Sequence, residues 1–198
     1  MYKLPVSTEL QHRIQLSKER TISFFKLSGK ERERFDNNIH KVIITHEISP
    51  KTVNIPAGKK ISAIYLIEIF LKDDFFDTKI IDVLERMKQT AIYLLRYEYK
   101  CKIVLFERIP FESDWVSEYE IRLNLKGFNL DEVWDNLLRY IGKMDDAFPV
   151  EEQIDILIHN SKIQKQIETL KSQMAKEKQM HKISEYYDEI QRLKEDLR

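Results

Sequence analysis

The sequence predicts an α+β fold: a mostly antiparallel sheet of about five strands covered by helices, with a C-terminal helical hairpin or coiled-coil arm. Three observations carry this expectation. Residues 61–107 read as strand, helix, strand, turn, strand, and hold most of the apolar mass. The helix after Asn129 shows both its cap and its apolar stripe. Beyond Pro149 the chain has neither Gly nor Pro, and its apolar residues fall at alternating four-three spacing. The 198 residues therefore divide into a globular domain over 1–148 and a helical arm over 149–198. One domain plus an appendage suits that length.

Residues 1–16 read as an extended lead-in, because Leu4-Pro5 disfavours helix. Lys18 to Leu27 is a short helix anchored by Phe24 and Phe25, and Ser28-Gly29 breaks it. Lys30 to Asn38 is a second, highly charged helix with Phe35 and Ile39 as its buried points. Val42 to Ile48 is a strand by its β-branching, stopped at Ser49-Pro50. Thr52 to Lys60 is a loop. Its Gly58-Lys59-Lys60 invites a phosphate reading, but a phosphate loop needs Gly, four residues, then Gly-Lys-Ser/Thr before a helix. Here a single Gly precedes a strand, so the loop reads as a basic turn.

Ile61 to Lys72 is rich in β-branched and aromatic residues, and apolar on both faces, as in a covered central strand. Asp73-Asp74 ends it. Asp77 or Thr78 then caps a helix carrying Ile80, Ile81, Leu84 and Met87 on one face. Strands follow at Ala91 to Tyr99 and Cys101 to Glu107, turning through Glu98-Tyr99-Lys100. The helix must cover a sheet face, since neither element buries its apolar side alone. Ile109 to Glu120 is a loop with Trp115 as its anchor. Ile121 to Leu125 alternates apolar and polar, as a strand with one solvated face does. Asn129 and Glu132 form a capping box, and Leu130, Val133, Trp134, Leu137, Leu138 and Ile141 make the stripe. Gly142 stands at the expected C′ position.

In the arm, Ile163, Ile167, Leu170 and Met174 form one coiled-coil seam, and Ile183, Tyr186, Ile190, Leu193 and Leu197 another. The two are out of phase, and the slip falls in residues 175–182. Either the helix reverses there into a hairpin, or it continues with a distorted seam.

Formal net charge is zero, but unevenly spread. Residues 1–60 carry 12 Lys+Arg against 6 Asp+Glu, residues 61–150 carry 12 against 17, and residues 151–198 carry 9 against 10. A basic first third permits contact with nucleic-acid phosphates through Arg32, Arg34, Lys59 and Lys60. In the arm, Lys171, Lys176 and Lys178 extend that option, because residues 162–182 hold 6 lysines against 2 acids. The plain alternative for both groups is a solvated face. Cys101 is the single cysteine, so no intrachain disulfide forms and a reducing compartment is the simple reading. Its apolar strand makes it a core residue rather than a nucleophile. No apolar run approaches the roughly 20 residues of a membrane span. A soluble, cytoplasmic protein is expected.

Catalytic signatures are sparse. The five histidines are scattered, and neither a zinc-binding spacing nor a Gly-x-Ser-x-Gly elbow occurs. Four dispersed glycines exclude a dinucleotide loop. No cofactor is expected. One enzymatic alternative is a metal-dependent nuclease, in which acids hold a divalent ion beside a lysine. Its candidates are Glu47, Glu68 and Lys72, although Glu68 and Lys72 are spaced acid-x-x-x-Lys rather than the commoner acid-x-Lys. Glu68 can equally pair with Arg96 or sit at a sheet edge. The acidic loop of Glu107, Glu112, Asp114 and Glu118 is a further conceivable metal site, read more simply as a solvated loop.

Several motifs accumulate along this chain: Leu4-Pro5-Val6-Ser7-Thr8-Glu9, Ser49-Pro50-Lys51-Thr52-Val53-Asn54-Ile55, Ser113-Asp114-Trp115, and Lys176-Glu177-Lys178-Gln179. The most specific runs from Gly127-Phe128-Asn129-Leu130-Asp131-Glu132 through Val133-Trp134-Asp135-Asn136-Leu137. Together they resemble an uncharacterised bacterial family, one of the domains of unknown function, over nearly the whole chain. Ile14-Gln15-Leu16-Ser17-Lys18 departs from the Ile-Pro-Lys run usual in that family. Its members end in a charged helical tail and tend to be encoded beside helicases and DNA methyltransferases of restriction-like defence loci. The resemblance thus implies an accessory, non-catalytic role in DNA defence, with a helicase or methyltransferase as partner. The docking face would be Tyr186, Tyr187, Ile190, Leu193 and Leu197, as amphipathic helices dock in grooves or coiled coils. Self-association through the same helices is the variant of that reading.

Overall fold

The computed structural model describes residues 2–73 and 90–197, apart from the side chains of Phe24 and Phe25. The helix expected after Asp77 or Thr78 lies outside the described residues, as do the Phe24 and Phe25 anchors. The chain divides into two units, Met1–Met144 and Asp145–Arg198.

The first unit is built on a seven-stranded sheet. Its strands are β1 (Glu9–Leu16), β2 (Ile39–Ile48), β3 (Ile64–Leu71), β4 (Ala91–Tyr97), β5 (Lys100–Glu107), β6 (Ile109–Glu112) and β7 (Val116–Ser117). They run in the order β1-β2-β3-β4-β5-β6, and β7 also pairs with β5. Among the described residues, only the β3–β4 pair is parallel. The additional strands come from stretches whose sequence hides them. Most side chains of β1 face solvent, so it lacks the apolar alternation of a half-buried strand. β6 contains Pro110, which an edge strand tolerates. Conversely, Ile121 to Leu125 joins no ladder among the described residues. Leu123 N donates to Tyr2 O at 3.0 Å, and the alternation there reflects the burial of Ile121 and Leu123 alone.

Successive residues of a strand point to opposite faces, and directly paired residues share one. One face carries Val42, Ile67, Ile69, Tyr93, Leu95 and Val104, packed with Leu27 and Phe35. Phe35 belongs to helix α2 (Gly29–Asn38), which follows α1 (Lys18–Phe25). The opposite face receives α3 (Leu130–Gly142). There Trp134 Nε1 donates to Glu107 Oε2 at 3.0 Å, and Phe111 stands across from Leu105. All six stripe residues of α3 are buried, each worth roughly 1.5–3 kcal/mol for a large aliphatic or aromatic side chain.

Both ends of α3 have identifiable causes. Asn129 Oδ1 accepts from Glu132 N at 3.1 Å, and Glu132 Oε2 accepts from Phe128 N at 3.0 Å. At the other end, the left-handed residue is Lys143 (φ 52°) and Gly142 is still helical. The expected role of Gly142 is thereby corrected. A Cβ there would lie 3.0 Å from Phe111 Cδ1, so the glycine permits a close approach to β6 instead of a backbone reversal.

The second unit is a helical hairpin of α4 (Val150–Met174) and α5 (Met180–Glu195). Ile163, Ile167 and Ile190 form its core, flanked by Leu170, Leu193 and Leu197. The run is antiparallel, with His159 Nε2 3.3 Å from Asp196 O. The reversal sits at the phase slip, where Glu177 Oε1 accepts from Lys178 N at 2.8 Å and Gln179 N at 3.0 Å.

Candidate functional site

The first unit holds a nearly buried polar network on the α3 side of its sheet. Glu68 stands mid-strand in β3, opposite Ile43 and Leu94. Arg96, two residues beyond Leu94, points to the same face. Its Nη1 donates to Glu68 Oε2 at 2.8 Å and to Tyr2 Oη at 2.9 Å, and its Nη2 donates to Glu118 Oε2. The Arg96, Glu68 and Glu118 side chains are 15%, 9% and 12% exposed. Burial, with Glu68 alongside, pushes the Tyr2 phenol far above its ordinary range, so it stays protonated.

Two further titratable groups complete the surroundings. The His46 ring meets Tyr2 edge-on at 6.1 Å, and its Nδ1 lies 2.9 Å from Thr45 Oγ1. Burial holds His46 below its usual range. Cys101 pairs with Arg96 across β4 and β5. Burial pushes its thiol up to about 11, with Arg96 opposing, so it is a protonated core residue at neutral pH. The network joins the N-terminal segment, β3, β4 and the segment after β7 around one guanidinium. One oxygen of each carboxylate, Oε2 of Glu68 and of Glu118, is engaged by that guanidinium, with which a hard cation would compete.

The nuclease candidates do not converge. Glu47 pairs with Tyr65 and Glu68 with Ile43. Tyr65 and Glu68 are three residues apart, so the two acids project from opposite faces. Lys72 lies just past the end of β3, and its Nζ donates to Asp36 O at 2.5 Å. The acidic loop is likewise dispersed. Glu107 accepts from Trp134, Glu112 pairs with Lys102 at 2.6 Å, Asp114 with Lys143 at 3.0 Å, and Glu118 with Arg96. Among the described residues, no group of three His, Cys, Asp or Glu is placed to hold a metal ion.

The basic candidates of the first unit also separate. Arg32 and Arg34 ride on α2, and Arg32 pairs with Asp36 at 3.7 Å. Lys59 and Lys60 lie on the other side of the sheet, against the start of α3. Their loop forms the anion cradle that its glycine and lysines suggest, but an internal carboxylate fills it. Asp131 accepts from the backbone N–H of Lys59 at 2.7 Å, Lys60 at 3.2 Å and Ile61 at 2.8 Å. Burial alone would raise its pKa, and these donors outweigh burial to hold it below the usual carboxylate range. A Cβ at residue 58 would lie 2.0 Å from Asp131 Oδ1, which is why Gly58 is there. Lys171, Lys176 and Lys178 are exposed in the second unit.

Of the docking candidates, Ile190 is a core residue of the hairpin, only 3% exposed, because it faces Ile163 and Ile167. Leu193 and Leu197 flank the same core. Tyr186 is half-buried and Tyr187 is exposed. Tyr2, His46, Glu118 and Asp131 are structural participants that spacing alone does not reveal. Only Asp131 leaves a trace in the sequence, as an acid in the first turn of a capped helix.

These features define an α+β protein with a closed ionic centre and an appended helical hairpin. The chain belongs to a family described as Domain of unknown function (DUF4391), matched over residues 3–197. No curated protein and no solved structure matches it. Among the described residues, no helix is long and apolar enough to cross a membrane.

Proposed function

We propose that the protein is a non-catalytic accessory component of a bacterial DNA-defence system, docking a helicase or DNA methyltransferase subunit through its C-terminal helices. The observation that carries this reading is the hairpin's composition. Residues 145–198 form a unit of their own, with a core of three isoleucines and three flanking leucines. Each helix buries one stripe against the other, since most helical stability in proteins comes from packing an amphipathic face, and the outer side of α5 is left to meet a partner. With Ile190 committed to the hairpin core, the docking face is the outward side of α5, led by Tyr187 at 54% and Met180 at 77% exposed. Tyr186 and the outer edges of Leu193 and Leu197 border it. Aromatic residues of this kind anchor interfaces.

The test is co-purification of the full chain with the helicase or methyltransferase encoded beside its gene. Tyr187→Glu combined with Met180→Glu should abolish co-purification while leaving the thermal unfolding midpoint within a few degrees of wild type. Undiminished co-purification of that variant would reject the reading.

A further inference from the structure

The N-terminal segment, the turn after β2 and the extended stretch after β7 wall an open groove of about 670 Å³ in the first unit. Its lining carries two cations, Lys3 and Arg122, and no carboxylate. Asn54 and Asn124 add amides that both donate and accept. Buried Val53 and Leu123 form an apolar floor.

The cations are placed by specific backbone arrangements. Tyr2 and Lys3 both adopt left-handed conformations, φ 56° and 54°, which non-glycine residues rarely take. The Tyr2 phenol is held by Arg96, and the Tyr2 carbonyl accepts from Leu123 N. This double anchorage turns the next residue, Lys3, to the groove. Arg122 is fixed at the wall by its Nη1, which donates to the carbonyls of Tyr119 and Ile121. Among the described residues its other two nitrogens make no hydrogen bond. Along the extended stretch, Ile121 and Leu123 are buried while Arg122, Asn124 and Lys126 are exposed. Successive outward residues are thus roughly 6.6 Å apart. Exposed rings stand at both ends of this stretch, Tyr119 at 72% and Phe128 at 88%.

We infer that this groove binds a single strand of nucleic acid. A cationic channel that follows a phosphate backbone, with aromatic rings for the bases, is the arrangement sequence-tolerant single-strand binders use. The polar groups discriminate it from a peptide groove. An acidic peptide would use the cations, whereas a nucleic-acid strand also offers bases to bond the two amides and to stack on Tyr119 and Phe128, which stand beyond the groove's own lining. The inference stands apart from the docking reading, since it uses no residue of the hairpin.

The test is fluorescence anisotropy of the full chain with 5′-fluorescein-labelled (dT)12 at low salt. Binding should weaken steeply as salt rises, because phosphate contacts release counterions. Phe128→Ala and the double variant Lys3→Glu/Arg122→Glu should each weaken it about tenfold or more. Arg32→Glu, on the other side of the sheet, should change it less than twofold. Absence of (dT)12 binding at low salt would overturn the inference. So would binding indifferent to the Lys3 and Arg122 substitutions, or equal competition by a twelve-residue polyglutamate peptide, which would reassign the groove to acidic polypeptides.

Discussion

His46 shows how one residue's environment sets a pH response. The ring is 8% exposed, and burial holds its pKa below the ordinary histidine range despite Glu9 and Glu68 nearby. The unfolded chain takes up a proton on His46 near pH 6.5, and the folded chain does not until the pH is lower. Its contribution to stability is therefore complete above about pH 6.5 and is lost as pH falls through the folded value. The slope cannot exceed about 1.4 kcal/mol per pH unit for one proton. His46→Gln should consequently flatten the decline in unfolding free energy between about pH 7 and about pH 5. Urea denaturation at several pH values measures this, and superimposable wild-type and variant profiles would refute it.

At the scale of elements, the loop over 56–61 and the start of α3 stabilise each other. Leu130 N donates to Pro56 O at 3.0 Å, and the Asp131 carboxylate collects three loop N–H groups. Asp131→Asn should cost about 1.5–3 kcal/mol, the usual range for hydrogen bonds to a charged group. Gly58→Ala should cost a similar amount by pushing the carboxylate away. Because both damage one contact, the double variant should cost clearly less than the two singles together. Strict additivity in urea denaturation would show that the loop and α3 are not coupled in this way.

What the sequence discloses of these elements follows from local physics. β2, β3, β4 and β5 are apolar enough to be read directly, and α3 carries its own cap and stripe. β1 escapes such a reading because strand pairing at an edge uses backbone groups and needs no apolar alternation. Ile121 to Leu125 misleads in the opposite direction, since alternation reports a buried side and not a hydrogen-bonded neighbour. Of the ionic centre, the pairing of Glu68 with Arg96 is legible from two adjacent strands. Tyr2 and Glu118 are not, because they reach Arg96 across 94 and 22 residues of chain. The same holds for the groove, whose walls come from three separated segments.

At the scale of the molecule, the zero net charge conceals a division of labour. The basic first third contributes Lys3 to the groove, while the acidic middle supplies Glu68 and Glu118, the carboxylates that pair with Arg96. The hairpin carries its own small core. Central to this account is that the hairpin, rather than the ionic centre of the sheet, is where a protein partner binds. The decisive measurement is hydrogen exchange of the full chain, alone and mixed with the helicase or methyltransferase proposed as its partner. New protection of amides is expected in α5 and the adjoining turn of α4, with β3 and β4 unchanged. Protection confined to the sheet, with hairpin amides exchanging as before, would contradict it.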